Sequence, residues 1–133
     1  MSNFSCYITI INNSSIEFKN GKSECSWGEY DSRPKTNLKL KDKTQFRLKD
    51  TTGPHGSTGL TKYDVGEGVI QFNYDCPYGD SSNELSFDNG GTDLTINFYG
   101  SNKAGYLDSI PDNEEGQYPS SGHPLSGIFI ITD

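Results

Sequence analysis

Apolar and polar residues alternate on either side of one turn in the middle of the chain. Ile70, Phe72 and Tyr74 interleave with Gln71, Asn73 and Asp75, and Leu85 and Phe87 resume the rhythm; a period of two predicts strands with one buried face. Between them stands Asp75-Cys76-Pro77-Tyr78-Gly79. Pro77 sets its own φ and favours an extended Cys76, while Gly79 accepts whatever dihedral the reversal needs. Val69 to Phe87 therefore predicts a hairpin whose tip sets an aromatic ring beside Asp75 and Asp80. A ring exposed between acids is a poor way to build a core, so this tip is the first candidate for function.

The same rhythm recurs along the chain. Phe4 to Ile11 alternates, and Asn12-Asn13-Ser14-Ser15 predicts a turn because Asn and Ser bond their own backbone. Ile16 to Lys19 reads as a short strand, and Asn20-Gly21 as a hairpin turn into Lys22 to Trp27. The first 27 residues thus predict a meander. Gly28 to Asn37 reads as irregular, broken by Arg33-Pro34, and Leu38 to Leu40 and Thr44 to Leu48 as strands around Lys41-Asp42-Lys43. Thr51 to Gly59 is a glycine-rich loop around His55 that leads into Leu60 to Tyr63. Asn89-Gly90-Gly91 turns the chain again, and Asp93 to Tyr99 alternates. Gly100 to Pro124, punctuated by Pro111, Pro119 and Pro124 and carrying Asp112-Asn113-Glu114-Glu115, reads as a long loop insertion, functional or mobile. Gly127 to Thr132 is apolar on both faces and predicts a central strand.

No window holds apolar residues at helical spacing, whereas 7 Phe, 8 Tyr and 15 Gly favour short strands and tight turns. The 133 residues, 31% of them apolar, suffice for one core. A single all-β domain spanning residues 1–133 is predicted. Eleven Lys and Arg against eighteen Asp and Glu give a formal charge of −7, which repels phosphate backbones and anionic lipid surfaces and argues against nucleic acid as a partner. Lys35, Lys39, Lys41, Lys43, Arg47 and Lys49 form either a solvated strand face or a local basic patch. Met1 to Ile11 lacks the basic and apolar regions of a secretory signal, and no stretch approaches the ~20 apolar residues of a membrane helix. A soluble chain outside the standard secretory route is expected.

Three cysteines cannot all pair internally. Cys6 shares a face with Phe4 and Ile8 and reads as a small buried hydrophobe. Reduced thiols are expected throughout, with a Cys6–Cys25 bridge open if the first two strands are neighbours.

Catalytic and metal-binding patterns are weak. His55 and His123 sit at no paired-ligand spacing, the acids at 80–84 and 88–93 do not match a twelve-residue calcium loop, and Ser57 and Ser126 form no nucleophile elbow. The glycine-rich loop around His55 lacks the lysine and the helix of a phosphate cradle. The reading is a non-enzyme with no metal and no cofactor. What remains is recognition chemistry. Trp27, Tyr30, Tyr74 and Tyr78 pair an apolar body with a polar tip, the side-chain type of membrane interfaces and sugar clefts. For Trp27 both a core and a surface reading stand, and Tyr78 lies in the turn itself.

Phe72-Asn73-Tyr74-Asp75-Cys76-Pro77-Tyr78-Gly79 followed by Asn83, Cys25-Ser26-Trp27-Gly28, Gly56-Ser57-Thr58-Gly59 and the opening strand into Asn12-Asn13 together resemble the aegerolysins, small acidic all-β proteins. The resemblance implies an antiparallel β-sandwich that recognises a membrane lipid, usually a sphingolipid head group. In several members a perforin-like partner is then recruited to form a pore, and some bacterial pairs are insecticidal. By position it places Trp27, Tyr74 and Tyr78 against the lipid and makes Asp75 the anchor of the hairpin. His55 falls where some members carry a glutamate that influences the sphingolipid preferred. Tyr78 stands where the family usually has Trp, and the 100–124 loop is longer than the family norm. An imidazole at position 55 also invites pH modulation of binding, since this side-chain type changes charge between pH 5 and 8. The alternative from another class is a soluble carbohydrate-binding lectin using the same aromatics against sugar rings.

Overall fold

The computed structural model describes residues 3–133, so Met1 and Ser2 of the expected 1–133 domain lie outside the described residues. Among the described residues nine strands follow in chain order: β1 Cys6–Asn13, β2 Lys19–Trp27, β3 Glu29–Ser32, β4 Asp42–Lys49, β5 Ser57–Val65, β6 Gly68–Cys76, β7 Glu84–Asp88, β8 Thr95–Ser101 and β9 Leu125–Thr132. They form a five-stranded sheet in the order β3-β4-β1-β9-β8 and a four-stranded sheet in the order β2-β5-β6-β7. The two pack face to face as a β-sandwich. The described residues contain no helix long and apolar enough to cross a membrane.

The alternation read from the sequence sets the inner faces. Ile8 and Ile10 of β1, Phe46 and Leu48 of β4, Ile70, Phe72 and Tyr74 of β6 and Phe129 and Ile131 of β9 are buried in one cluster. Edge-on ring contacts knit the sheets, with Phe72 and Phe129 centroids 4.9 Å apart and Phe46 and Tyr74 5.6 Å apart. The apolar strand β9 lies between β1 and β8, as its two hydrophobic faces require. It pairs parallel to β1, Cys6 opposite Leu125 through Asn13 opposite Thr132, so the sandwich is antiparallel except for this one pair.

The expected N-terminal meander is replaced by a crossing between sheets. β1 pairs with β4 and β9, whereas β2 pairs with β5 in the opposite sheet. Ile16 to Lys19 and Leu38 to Leu40 reduce to one bridge, Phe18 with Leu38, closed by backbone bonds of 2.9 and 2.8 Å, while Leu40 stays exposed. Asn20-Gly21 makes a bulge inside β2, not a hairpin turn: Asn20 has φ 55° and the register shifts between Lys19 and Lys22. A Cβ at Gly21 would stand 2.6 Å from the Tyr63 ring, so close approach of that buried tyrosine explains the glycine. Gly28 to Asn37 is also not wholly irregular, because β3 lies within it.

Four of the six basic residues of β4 and its flanks, all but Lys39 and Lys41, are paired with carboxylates. Lys35 meets Asp42, Lys43 meets Asp108, Arg47 meets Asp31 and Lys49 meets Glu29, at 2.9 to 3.8 Å. The 102–124 segment has no strand, yet its backbone is tied along the β8 edge. The Gly100 amide donates to the Gln117 carbonyl at 3.0 Å and the Gly116 amide to the Phe98 carbonyl at 2.7 Å. Leu107 is buried and Tyr118 packs on the core. This segment thus covers an edge that would otherwise offer free ladder groups.

Candidate functional site

One end of the sandwich gathers the residues singled out from the sequence. There the thiol of Cys6 on β1 meets the Ser57 hydroxyl of β5 at 3.3 Å, joining the two sheets. Around this joint lie the end of β2 with Trp27, the 51–56 loop with His55, and the β6–β7 tip with Tyr78. Trp27, Pro54, His55, Gly56, Thr58, Pro77 and Tyr78 line a cleft of about 210 Å³. The Trp27 and His55 rings are stacked, 5.0 Å between centroids and 18° apart. Trp27 and Tyr78 are each 53% exposed, which resolves the two readings of Trp27 in favour of the surface.

The cleft is shaped by backbone. A Cβ on Gly56 would stand 2.6 Å from the Tyr78 nitrogen and 2.7 Å from the Pro77 Cα, closer than real contacts allow. Only glycine lets the His55 loop lie directly on the hairpin tip. Two further rings belong to this end, and sequence reasoning missed their role. Phe4 meets Tyr78 edge-on at 5.3 Å, and His123 tilts over Phe4 at 4.1 Å. Phe4 and His123 stand near opposite ends of the chain, so no local pattern could have joined them; the parallel pairing of β1 with β9 does so.

Asp75 lies beside the cleft, not in it. Its carboxylate accepts a bond of 2.7 Å from the Thr58 hydroxyl, and Thr58 lines both the cleft and a groove of about 460 Å³ that holds Asp75, Glu84 and Glu24. This cross-link between β5 and β6 braces the strand that carries the tip. Burial raises the Asp75 pKa, the Thr58 bond opposes the rise, and Glu84, its direct cross-strand partner, adds to it. A carboxyl raised in the folded state loses stability as the pH climbs through its ionisation. Asp75→Asn keeps an acceptor for Thr58 and removes the charge. The variant is expected to melt higher than the parent at pH 7, with the difference closing as the pH falls below about 4; thermal scans across that range check it.

Tyr74 departs from the expectation. Its ring is 1% exposed within the core, with the hydroxyl 2.6 Å from that of Tyr30 and 2.8 Å from that of Thr61. It cannot offer a ring to a surface. Burial raises its pKa well above the usual tyrosine value and pushes Tyr30 up to about 12, so both stay neutral hydrogen-bonding groups. The reason is periodicity: Tyr74 falls in step with Ile70 and Phe72, which face inward.

All three cysteines are free thiols. Cys6 and Cys76 are buried, Cys25 is exposed, and β1 and β2 lie in different sheets, so the conditional Cys6–Cys25 bridge does not arise. Burial pushes the Cys76 thiol up to about 12 and that of Cys6 higher still, which leaves both inert as nucleophiles. Among the described residues no group of three or more His, Cys, Asp and Glu is placed to hold a metal ion.

Fold and site together define a two-sheet β-sandwich with an aromatic cleft at one end. No protein-family model and no curated protein sequence matches the chain. The crystal structure of the lipid binding protein Nakanori does match in three dimensions, with a TM-score of 0.70 over 97% of this chain and 71% of that one. The sequences are 9% identical, so the likeness is one of fold.

Proposed function

We propose that this protein binds lipid bilayers through Trp27, His55 and Tyr78 and recognises a sphingolipid-type head group between them. The observation that carries the reading is the pair Trp27 and Tyr78, each more than half exposed on the walls of one cleft. Amphipathic rings favour the boundary between head groups and acyl chains, where the ring leaves water and its polar tip stays solvated. The stack on Trp27 fixes the His55 imidazole beside the site a head group would occupy. Asp75 acts indirectly, by bracing the hairpin through Thr58. A net charge of −7 gives adsorption to anionic surfaces no help, so ring insertion and head-group contacts carry the binding. The shared fold with a protein described as lipid binding agrees with this reading. A perforin-like protein is the proposed second component of a cytolytic, insecticidal or haemolytic pore acting outside the producing cell. The 102–124 segment, with Ile110 53% exposed, is the surface proposed to meet it.

Co-sedimentation with sphingomyelin–cholesterol vesicles, against phosphatidylcholine vesicles, tests the lipid reading. Binding to the first is expected to change little between low and high salt. Trp27→Ala and Tyr78→Ala are each expected to weaken it about tenfold, or ~1.4 kcal/mol. Full binding by both folded variants, or glycan-array binding with none to vesicles, would overturn the proposal, the latter in favour of a lectin.

A further inference from the structure

Four of the eleven Lys and Arg residues are matched to carboxylates, and all four lie on β4 or beside it. Three others converge on the opposite sheet without an ion pair among the described residues. Lys22, Arg33 and Lys62 line a groove of about 560 Å³ together with Thr36 and Glu24. Lys22 and Lys62 are direct cross-strand partners of β2 and β5. Like charges placed opposite each other destabilise a sheet, so the fold itself draws no benefit from the pair. Arg33 is held at the rim by neutral groups: its guanidinium lies 4.7 Å over the Tyr30 ring and donates to the Ser23 carbonyl at 3.4 Å. Its charge stays uncompensated. Of the nearby acids, Glu24 forms no ion pair, and Asp64 is engaged by the Asn20 amide at 2.9 Å.

We propose that this groove binds the sulfate or carboxylate groups of an acidic glycan. Lys22 and Lys62 face each other across β2 and β5 and Arg33 reaches the same groove from the segment after β3, so three cations line one site, which suits a ligand carrying several anionic groups better than a lone phosphate. Arg33 covers the Tyr30 ring, so that ring offers no stacking platform to a nucleic acid base. Position excludes the phosphates of the bilayer that Trp27 would enter, an argument that rests on the lipid reading above. Lys22 lies five residues before Trp27 on the same strand, roughly 17 Å away at about 3.3 Å per residue. The head-group layer is only about 5–7 Å deep. A ligand at the groove must therefore stand clear of the lipid surface, as a cell-surface glycan does.

Isothermal titration of the full chain with a heparin hexasaccharide, against neutral maltohexaose, tests the proposal. The parent is expected to bind the first alone and to lose at least tenfold in affinity between 50 and 300 mM NaCl. The double variant Lys22→Gln/Lys62→Gln is expected to lose tenfold or more, to melt no lower than the parent, and to keep its binding to sphingomyelin–cholesterol vesicles. Arg33→Gln provides a second, single-site loss. No binding by the parent, or unchanged affinity in the double variant, would overturn the proposal. So would equal competition by inorganic phosphate, which marks a simple anion site, or binding to phosphatidylserine vesicles that depends on both lysines, which marks a membrane face. Failure of the lipid reading shows separately, as indifference of vesicle binding to Trp27→Ala and Tyr78→Ala.

Discussion

Tyr74→Ala is expected to cost about 3–5 kcal/mol of folding stability, as truncation of a large buried ring does. The ring is 1% exposed and packs edge-on against Phe46, so its removal opens a cavity between the two sheets. Against a total stability of roughly 5–15 kcal/mol, that loss places the variant close to unfolding. Tyr74→Phe separates packing from hydrogen bonding. The Tyr30 hydroxyl keeps the Glu24 carbonyl at 2.8 Å and Thr61 keeps Ser23 at 2.9 Å, so neither is orphaned. The cost is expected to be only about 1 kcal/mol. Denaturant titration should shift the midpoint of both variants without changing the slope. Vesicle binding by Tyr74→Phe should equal that of the parent. A variant of unchanged stability that no longer binds would move the Tyr74 hydroxyl from the core to the ligand.

The second large effect is expected at Gly56. Alanine there sets a methyl against the Cys76 carbonyl oxygen, the Tyr78 nitrogen and the Pro77 Cα, all of them backbone atoms that cannot rotate aside. The loop must lift from the hairpin tip, at a cost of about 1–3 kcal/mol. Because that contact sets the distance between His55 and Tyr78, the cleft opens as well. Gly56→Ala is therefore expected to lower both the melting temperature and the vesicle affinity, whereas Trp27→Ala should lower the affinity alone. Thermal scans beside co-sedimentation distinguish the two. A Gly56→Ala protein that binds as the parent does would show that the cleft is not shaped by this contact.

Much of the fold was legible because burial in a sandwich follows a period of two. β6 and β7 lie where alternation places them, and the two apolar faces of β9 call for a strand with neighbours on both sides. The same period already assigned Tyr74 to the inner face with Ile70 and Phe72; its amphipathic side-chain type and the family resemblance turned it toward a membrane. Asn20-Gly21 was misread for a physical reason. A positive-φ Asn before Gly suits a bulge as well as a hairpin turn, and the choice depends on a partner strand distant in sequence. The resemblance pointed to Trp27, His55 and Tyr78 one by one, and nothing local in the chain says that they share a cleft.

The sequence by itself determined the all-β class, the inner and outer faces of most strands, the flexible backbone points and the acidic surface, since each follows from the chemistry of neighbouring residues. Tertiary structure alone decided which strands pair. The parallel seat of β9 beside β1 brings His123 onto Phe4, the contact of Gly56 with the hairpin tip closes the aromatic cleft, and the register of β2 on β5 sets Lys22 against Lys62. These contacts join residues far apart in the chain, and they form only once the two apolar faces have been buried against each other.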